Sequence, residues 1–305
     1  MTIREMQNEI LRLKKEKGVL ILAHSYERQE ILEIADVTGD SYRLACSVKG
    51  AKEQTVLMCG VRFMAETVKI LAPEKRVILS HKDAGCPMAD GLTPALLKEL
   101  QAKYPNAVTA AYINTTAKVK ALSDVCVTSS SAVKVLSRLA DKEILFVPDC
   151  NLGGYCKKRL PEKTFHFFNG GCPVHMCARL GDVLSAKAEH PNALLLVHPE
   201  CGAEVAERAD YVGSTSGITD FVRGSSHGEF IIGTENAIAE HLEYEFPDKK
   251  FYRLSQHLVC ADMRLTTLKS VWDCLAEHGG EEIILDEPLR LAAKKCIDKM
   301  IELGG

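Results

Sequence analysis

Three cysteines lie at nearly equal intervals along the chain and could together bind one metal centre. Cys86, Cys172 and Cys260 are separated by 86 and 88 residues. In the first two cases a glycine precedes the cysteine and a proline follows it. Three thiolates suit an iron–sulfur cluster with one iron left without a protein ligand, because a cubane needs four ligands. The spacing therefore predicts a three-cysteine site with one open position.

Two other interpretations of these cysteines compete with the cluster. Zinc bound by three thiolates and a water would use the same residues, but structural zinc sites usually draw on closely spaced cysteine pairs, and no CxxC occurs in this sequence. A cysteine can also simply be a buried core residue. The repeat spacing and the glycine–proline flanks favour the metal site, and within that reading the cluster is favoured over zinc.

The segments that must position these cysteines repeat three times. In each copy, four apolar runs of strand length are separated by segments of helix length, as expected for parallel βα units. The runs fall at 19–24, 35–41, 55–60 and 76–80, then at 108–113, 123–129, 144–147 and 164–168, then at 193–197, 209–215, 230–232 and 250–254.

Three further columns of residues recur with the same period. Asp36, Asp124 and Asp210 are 88 and 86 residues apart. The residue five positions later always carries a hydroxyl: it is Ser41, Ser129 or Thr215. The residue 12, 10 or 12 positions earlier is His24, Asn114 or His198. Several columns at one period indicate an internal triplication.

The triplication predicts an α/β fold made of three homologous αβα domains, Rossmann-like with parallel sheets, around a pseudo-threefold axis. The predicted domains are 1–88 together with C-terminal helices 266–305, then 89–174, then 175–265. The helices beyond Cys260 are expected to pack back on the first unit. Ligand-facing residues gather at the carboxyl ends of parallel strands, so His24, Asn114 and His198 should meet the cysteines.

The hydroxyl column is interpreted as an anion site. Small and hydroxyl residues, Ser214 included, stand where a strand gives way to a helix and can offer donors to a ligand. Ordinary helix N-capping would explain any one of them alone. Three around a common point favour a ligand with several carboxylates or a phosphate. The candidates for acid–base catalysis at that point are Tyr26, Tyr112, His175, His198 and Glu200.

Composition narrows the functional class. The 305 residues carry a formal net charge of −3, with 46% hydrophobic and 26% charged residues, which argues against nucleic acid or an anionic membrane as the main partner. There is no apolar stretch of membrane-spanning length. Twelve cysteines in a chain without a leader-like start are expected to be reduced, which predicts a cytoplasmic protein.

The sequence resembles the quinolinate synthase family over essentially its whole length. The motifs that carry the resemblance are Ala23-His24-Ser25-Tyr26, Gly39-Asp40-Ser41, Gly85-Cys86-Pro87-Met88-Ala89, Tyr112-Ile113-Asn114, Gly171-Cys172-Pro173-Val174-His175, His198-Pro199-Glu200-Cys201 and Val212-Gly213-Ser214-Thr215. The resemblance implies a 4Fe-4S cluster bound by Cys86, Cys172 and Cys260. It also implies a transferase of NAD biosynthesis that condenses iminoaspartate (iminosuccinate) with dihydroxyacetone phosphate, releasing phosphate and water to give quinolinate.

The resemblance also implies roles for individual residues. Substrate carboxylates or phosphate would be bound by His24, Ser41, Ser129, His198 and Thr215, with Tyr112 and Asn114 lining the pocket. His175, Glu200 and Ser214 complete the expected substrate-binding set. Tyr26 and Glu200 are expected to transfer protons, with His198 and Tyr112 as further catalytic candidates. Iminoaspartate would come from an L-aspartate oxidase or an aspartate dehydrogenase.

The sequence departs from the family pattern at three points. Ser25 stands where asparagine is expected, Cys260 lacks the following proline, and no carboxy-terminal CxxCxxC is present, which predicts the short form of the family. None of these departures removes a proposed metal ligand.

Two rival functions belong to other classes. A radical enzyme resembling the diphthamide-synthesis proteins would also gather three cysteines from three domains, but it would cleave S-adenosylmethionine and modify a protein. A metal-storage or scaffold protein would not need acid–base residues. The hydroxyl column and the paired histidines favour a small, multiply anionic substrate over both.

Overall fold

The computed structural model describes residues 1–304 and contains three mainly parallel sheets. The strands are β1 (Val19–His24), β2 (Val37–Gly39), β3 (Thr55–Cys59), β4 (Arg76–Leu79), β5 (Val108–Tyr112), β6 (Val125–Val127), β7 (Glu143–Val147), β8 (Thr164–Phe167), β9 (Leu194–Val197), β10 (Tyr211–Val212), β11 (Glu229–Gly233), β12 (Lys250–Arg253) and β13 (Glu281–Glu282). The positions of β1 to β12 match the twelve apolar runs of the three sequence repeats.

Helices alternate with these strands throughout the chain. They are α1 (Ile3–Lys17), α2 (Gln29–Leu32), α3 (Ser41–Ser47), α4 (Arg62–Leu71), α5 (Pro87–Gly91), α6 (Pro94–Lys103), α7 (Ala117–Lys120), α8 (Ala132–Ser137), α9 (Cys150–Arg159), α10 (Leu180–Glu189), α11 (Ala203–Ala206), α12 (Thr215–Gly224), α13 (Ala237–Glu245), α14 (Leu268–Leu275) and α15 (Glu287–Gly304). Short 3₁₀ turns follow two of the cysteine loops, at His175–Cys177 and Met263–Leu265.

All three sheets have the same strand order. They run β2-β1-β3-β4, β6-β5-β7-β8 and β10-β9-β11-β12, and every pair within these sets is parallel. The first sheet gains one antiparallel edge strand, because β13 pairs with β4. The predicted α/β fold of three Rossmann-like αβα units is confirmed. In each sheet the strand order changes direction between the first and third strands of the unit. Open α/β sheets bind ligands at such switch points.

The aspartate column anchors the second strand of each unit to the first. Asp36, Asp124 and Asp210 each accept a hydrogen bond from a backbone N–H fifteen residues earlier, at 2.8, 2.8 and 2.7 Å. Each aspartate also returns its own N–H to the carbonyl of that same residue. The most regular polar column of the sequence is therefore structural.

A column of lysines, which was not predicted from the sequence, also has a structural role. Lys75, Lys163 and Lys249 each donate to two backbone carbonyls. The acceptors of Lys75 and Lys163 lie in the loop between the helix after the second strand and the third strand, and those of Lys249 lie at the end of α12. Each lysine thus ties its own loop to the segment before the third strand. The three helices concerned, α3, α8 and α12, begin at or just after the hydroxyl column.

The two C-terminal helices differ in where they pack. α14 shares a core with the first unit, where Leu268 and Val271 lie with Ile10 and Ile21. α15 contacts the first unit through Arg290, which donates to the carbonyl of Ile70. It also lies on the second unit, where Cys296 Sγ is 3.0 Å from Cys126 Sγ of β6. The expectation that this helix packs on the first unit is thus incomplete, since its apolar face covers both.

Within the described residues, no helix combines the length and apolar character that crossing a membrane would require.

Candidate metal centre and substrate cleft

One cleft lies where the carboxyl ends of strands from all three units meet. The residues predicted for the site that line it are His24, Tyr26, Ser41, Cys86, Tyr112, Asn114, Ser129, Cys172, His175, His198, Glu200, Thr215 and Cys260. Of the predicted set, Ser214 alone is not among the lining residues; its hydroxyl accepts the Gly217 N–H and caps α12. The structure thus gathers the candidates from residues more than 200 positions apart.

The three cysteines face this cleft as free, half-buried thiols. Burial raises their pKa values, to about 12 for Cys86 and about 11 for Cys260, and raises that of Cys172 as well. Cys86 lies close enough to Cys260 and Cys172 for their charges to interact. Three convergent thiols, one from each unit, fit a 4Fe-4S cluster that needs three protein ligands and leaves one iron open.

A second group of possible metal ligands overlaps this set. Ligand atoms of Cys172, His175 and Glu200 lie within 4.8 Å of one another. However, His175 Nδ1 is already 2.8 Å from Glu200 Oε2 and 3.2 Å from Cys172 Sγ. This trio is a hydrogen-bonded chain in which the histidine joins a carboxylate to one of the cysteines.

Two histidines are arranged as neutral hydrogen-bond donors. His24 Nδ1 accepts the N–H of Tyr26 at 3.1 Å, and His198 Nδ1 accepts the N–H of Glu200 at 3.3 Å. Since Nδ1 is the acceptor in both, the proton resides on Nε2. Burial lowers the pKa of each to about 4, despite the opposing negative charges of Asp40 and Glu200. Both rings therefore stay neutral at pH 7, each with an N–H to offer a ligand.

Glu200 is a buried carboxylate held in its ionised form. Burial opposes its ionisation, but interactions with the imidazole of His175 and the hydroxyl of Tyr112 lower its pKa. Oε2 faces His175, whereas Oε1 has no hydrogen-bond partner among the described residues. A buried, ionised oxygen without a partner is costly unless a ligand completes it. Glu200 is thus available to accept a proton in the cleft.

Tyr26 belongs to a chain of hydroxyls that crosses the junction of the units. Its hydroxyl lies 3.0 Å from Thr215 Oγ1 and 2.9 Å from Thr234 Oγ1. Thr234 Oγ1 is in turn 2.9 Å from His175 Nε2. Burial raises the pKa of Tyr26 well above its ordinary value, so this phenol remains protonated at neutral pH.

The hydroxyl column lies at helix starts that face the cleft. Ser41 is the first residue of α3, Thr215 is the first residue of α12, and Ser129 stands in the turn before α8. Asp40 caps α3 and also accepts a hydrogen bond from Ser216 of the third unit at 3.0 Å. No lysine or arginine is found among the lining residues of the described cleft. Anion binding here would rest on neutral donors and on any bound metal.

Three residues of the site were not predicted from the sequence. Thr234 links Tyr26 to His175, and Asp149 and Glu235 contact the cysteine loops. All three follow directly on the third strand of their unit, β7 or β11. Strand-end position could have indicated them, but the first unit has Gly60 and Val61 at the matching place, so the column shows no shared residue type.

Fold and site together define a three-unit α/β protein with a candidate three-cysteine metal centre at the junction of its units. The family model described as "Quinolinate synthetase A protein" matches residues 8–302. A quinolinate synthase of Clostridium perfringens is 46% identical over 301 residues, which cover 99% of this chain and 100% of the relative. Those of Caldicellulosiruptor bescii and Geobacter metallireducens are 46% and 45% identical, over 100% and 98% of this chain and 100% and 97% of the relatives. The chain belongs to the quinolinate synthetase A family.

Proposed function

We propose that this chain is a quinolinate synthase, a transferase that condenses iminoaspartate with dihydroxyacetone phosphate and releases phosphate and water. Family membership supports this proposal. The observation that carries it is the convergence, in one cleft, of three thiols, two neutral imidazoles and a carboxylate with one free oxygen. That donor set suits a small substrate with several anionic groups.

Cys86, Cys172 and Cys260 are the residues that would hold a 4Fe-4S cluster, and its open iron would supply a Lewis acid to the cleft. The thiols must lose their protons to become ligands. Because burial holds their pKa values high, cluster assembly rather than solvent pH would set their ionisation.

Substrate anions would be bound by neutral donors. His24 and His198 each direct an Nε2–H donor that is free of backbone partners, because Nδ1 already accepts a backbone N–H. The hydroxyls of Ser41, Ser129 and Thr215 add donors from three helix starts. Tyr112 and Asn114 form the wall contributed by the second unit. Since both histidines are uncharged, this binding would persist unchanged across neutral pH.

Proton transfer would divide between Glu200 and Tyr26. Glu200, ionised and with Oε1 free, would act as the base that takes a carbon-bound proton during enolisation and dehydration. Tyr26, kept protonated by burial, would donate a hydrogen bond or a proton to a developing oxyanion. His175, bonded to Glu200, Cys172 and Thr234, would orient the carboxylate.

The remaining parts of the proposal concern context. We propose a cytoplasmic enzyme of NAD biosynthesis, consistent with twelve free cysteines in the described chain. Its iminoaspartate would be supplied by an L-aspartate oxidase or an aspartate dehydrogenase. The domain boundaries 1–88 with 266–305, 89–174 and 175–265 also stay a proposal.

The test is a product assay with anaerobically reconstituted protein. Iminoaspartate generated from oxaloacetate and ammonia is mixed with dihydroxyacetone phosphate, and quinolinate and phosphate are quantified. We expect one phosphate released per quinolinate. A parallel incubation with S-adenosylmethionine and dithionite addresses the radical rival: S-adenosylmethionine cleavage without quinolinate would overturn the proposal.

A further inference from the structure

The backbone N–H of each candidate cysteine ligand donates to a carboxylate. Cys86 N lies 3.1 Å from Asp90 Oδ2, Cys172 N lies 3.0 Å from Asp149 Oδ2, and Cys260 N lies 3.3 Å from Glu235 Oε1. The same bond thus recurs at all three loops, although the acceptors are two aspartates and one glutamate.

Two of these carboxylates occupy equivalent positions in the second and third units. Asp149 and Glu235 each stand two residues beyond the third strand of their unit, β7 and β11. The equivalent residue of the first unit is Val61, which lines the cleft. There the acceptor comes instead from Asp90, in the short helix after Cys86. In the first unit an apolar side chain therefore faces the cleft at this position, while Asp90 still accepts the hydrogen bond from the Cys86 N–H.

Asp149 and Glu235 are fully buried, whereas Asp90 is exposed. Asp149 uses both oxygens, since Oδ1 accepts the N–H of Leu152 and Oδ2 that of Cys172. Glu235 does the same, with Oε2 accepting the N–H of Ala237 and Oε1 that of Cys260. Two N–H donors on each carboxyl favour the ionised form, although burial raises the pKa of both groups, to about 7 for Asp149.

Side-chain length matches the loop that each carboxylate serves. Gly171 precedes Cys172, and a Cβ atom at Gly171 would lie 3.4 Å from Asp149 Oδ2. Val259 precedes Cys260 instead, and the longer Glu235 reaches the N–H past it. Arg264 also donates to Glu235 Oε1, at 3.2 Å, and fixes its orientation. These contacts leave little freedom for either carboxylate.

We propose that Asp149 and Glu235 are positioning residues for the metal centre, which hold the Cys172 and Cys260 loops and keep the reduction potential of the bound cluster low. The inference rests on the proposed cluster. Carboxylates next to ligand-bearing groups orient the ligands, and their loss commonly weakens metal binding 10–100-fold. Negative charge beside an iron–sulfur cluster stabilises its oxidised form, and burial of that charge prevents screening by salt.

The experiment compares Asp149→Asn, Glu235→Gln and Glu235→Asp with wild type and with Asp90→Asn. Each protein is reconstituted anaerobically, and iron release to a chelator and the midpoint potential, by redox titration followed with electron paramagnetic resonance, are measured. Asp90→Asn is the matched control, because it removes the same charge next to a cysteine N–H at an exposed position. Circular dichroism of the proteins before reconstitution confirms that each is folded.

We expect Asp149→Asn and Glu235→Gln to release iron about tenfold faster or more and to have a higher midpoint potential. Glu235→Asp should release iron faster, because the shorter side chain no longer reaches Cys260, but it should retain the wild-type potential. Asp90→Asn should change both quantities less. Wild-type release and potential in the two neutral variants would overturn the inference. Failure of wild type to load iron would instead overturn the proposed cluster, so the two failures are distinguishable. If Glu235→Gln does not fold, Asp149→Asn and Glu235→Asp decide the matter.

Discussion

The hydroxyl of Tyr26 lies 3.0 Å from Oγ1 of Thr215, and this contact joins the first unit to the third inside the cleft. The same phenol is 2.9 Å from Thr234, whose hydroxyl is 2.9 Å from His175. His175 then contacts both Glu200 and Cys172. A continuous path of polar contacts thus connects the residues proposed for proton transfer with one cysteine of the proposed metal centre.

Glu200→Gln should reduce kcat by roughly 10²–10⁴-fold, the usual contribution of a general base. Glutamine occupies the same volume but cannot accept a proton. The assay is quinolinate formation, with iron content measured on the same sample. Since Glu200 is not proposed as a metal ligand, iron content should equal that of wild type. A variant that lost iron along with activity would indicate that Glu200 belongs to the metal site formed by Cys172 and His175.

Ser41→Ala and Thr215→Val should each raise KM about tenfold or more, because a hydrogen bond to a charged group contributes roughly 1.5–3 kcal/mol. Ser214→Ala is the matched control. Its hydroxyl caps α12 and is not among those lining the cleft, so it should lower the free energy of unfolding by about 1 kcal/mol and leave KM unchanged. Equal KM effects at positions 214 and 215 would contradict the assigned roles.

The free energy of unfolding of the metal-free protein should fall as the pH falls from about 6.5 to about 4. His24 has a folded-state pKa of about 4 against an ordinary value of 6.5, so the unfolded chain binds protons first within this window. His24→Asn, which copies Asn114 of the second unit, should remove up to roughly 3 kcal/mol of this pH dependence. Urea unfolding at a series of pH values measures it. An identical pH profile in the variant would mean that His24 is not held neutral by burial.

Asp124→Ala should cost about 1–3 kcal/mol of stability, because it removes the acceptor of the Thr109 N–H. Quinolinate formation at a temperature where the variant is folded should remain at the wild-type rate. This outcome would confirm that the aspartate column, although it defines the repeat, serves strand pairing. Loss of turnover in a fully folded variant would assign the column a role in the cleft.

The sequence predicted the fold and the site best at positions where the same residue types recur in all three units. Strand positions followed from apolar runs, and the cysteines, His24, Asn114 and His198 were placed at one edge by their period, because parallel strands of equivalent units end at equivalent places. All of these residues line the cleft. Ser214 was included because it adjoins Thr215. As the N-cap of α12, however, its hydroxyl accepts the Gly217 N–H, whereas Thr215, the next residue, lines the cleft.

What the sequence did not reveal depends on contacts between segments that are separate in the chain. Asp149 and Glu235 differ in type and have Val61 as their counterpart, so no column marked them. Thr234 matters because it reaches Tyr26, 208 residues away. α15 was predicted to pack on the first unit, but its apolar face covers the first and second units. Only the three-dimensional placement of these segments, which local periodicity does not encode, shows these relationships.

The central claim is that one cysteine from each unit binds a single cluster on which turnover depends. The most direct measurement is iron content and quinolinate formation after anaerobic reconstitution of wild type, Cys86→Ala, Cys172→Ala and Cys260→Ala, with Cys177→Ala, an exposed thiol outside the cleft, as the control. We predict about four irons per chain for wild type and the control, as a cubane requires, and loss of both iron and product in each of the three variants. Full iron loading and turnover in any one of those three would contradict the claim.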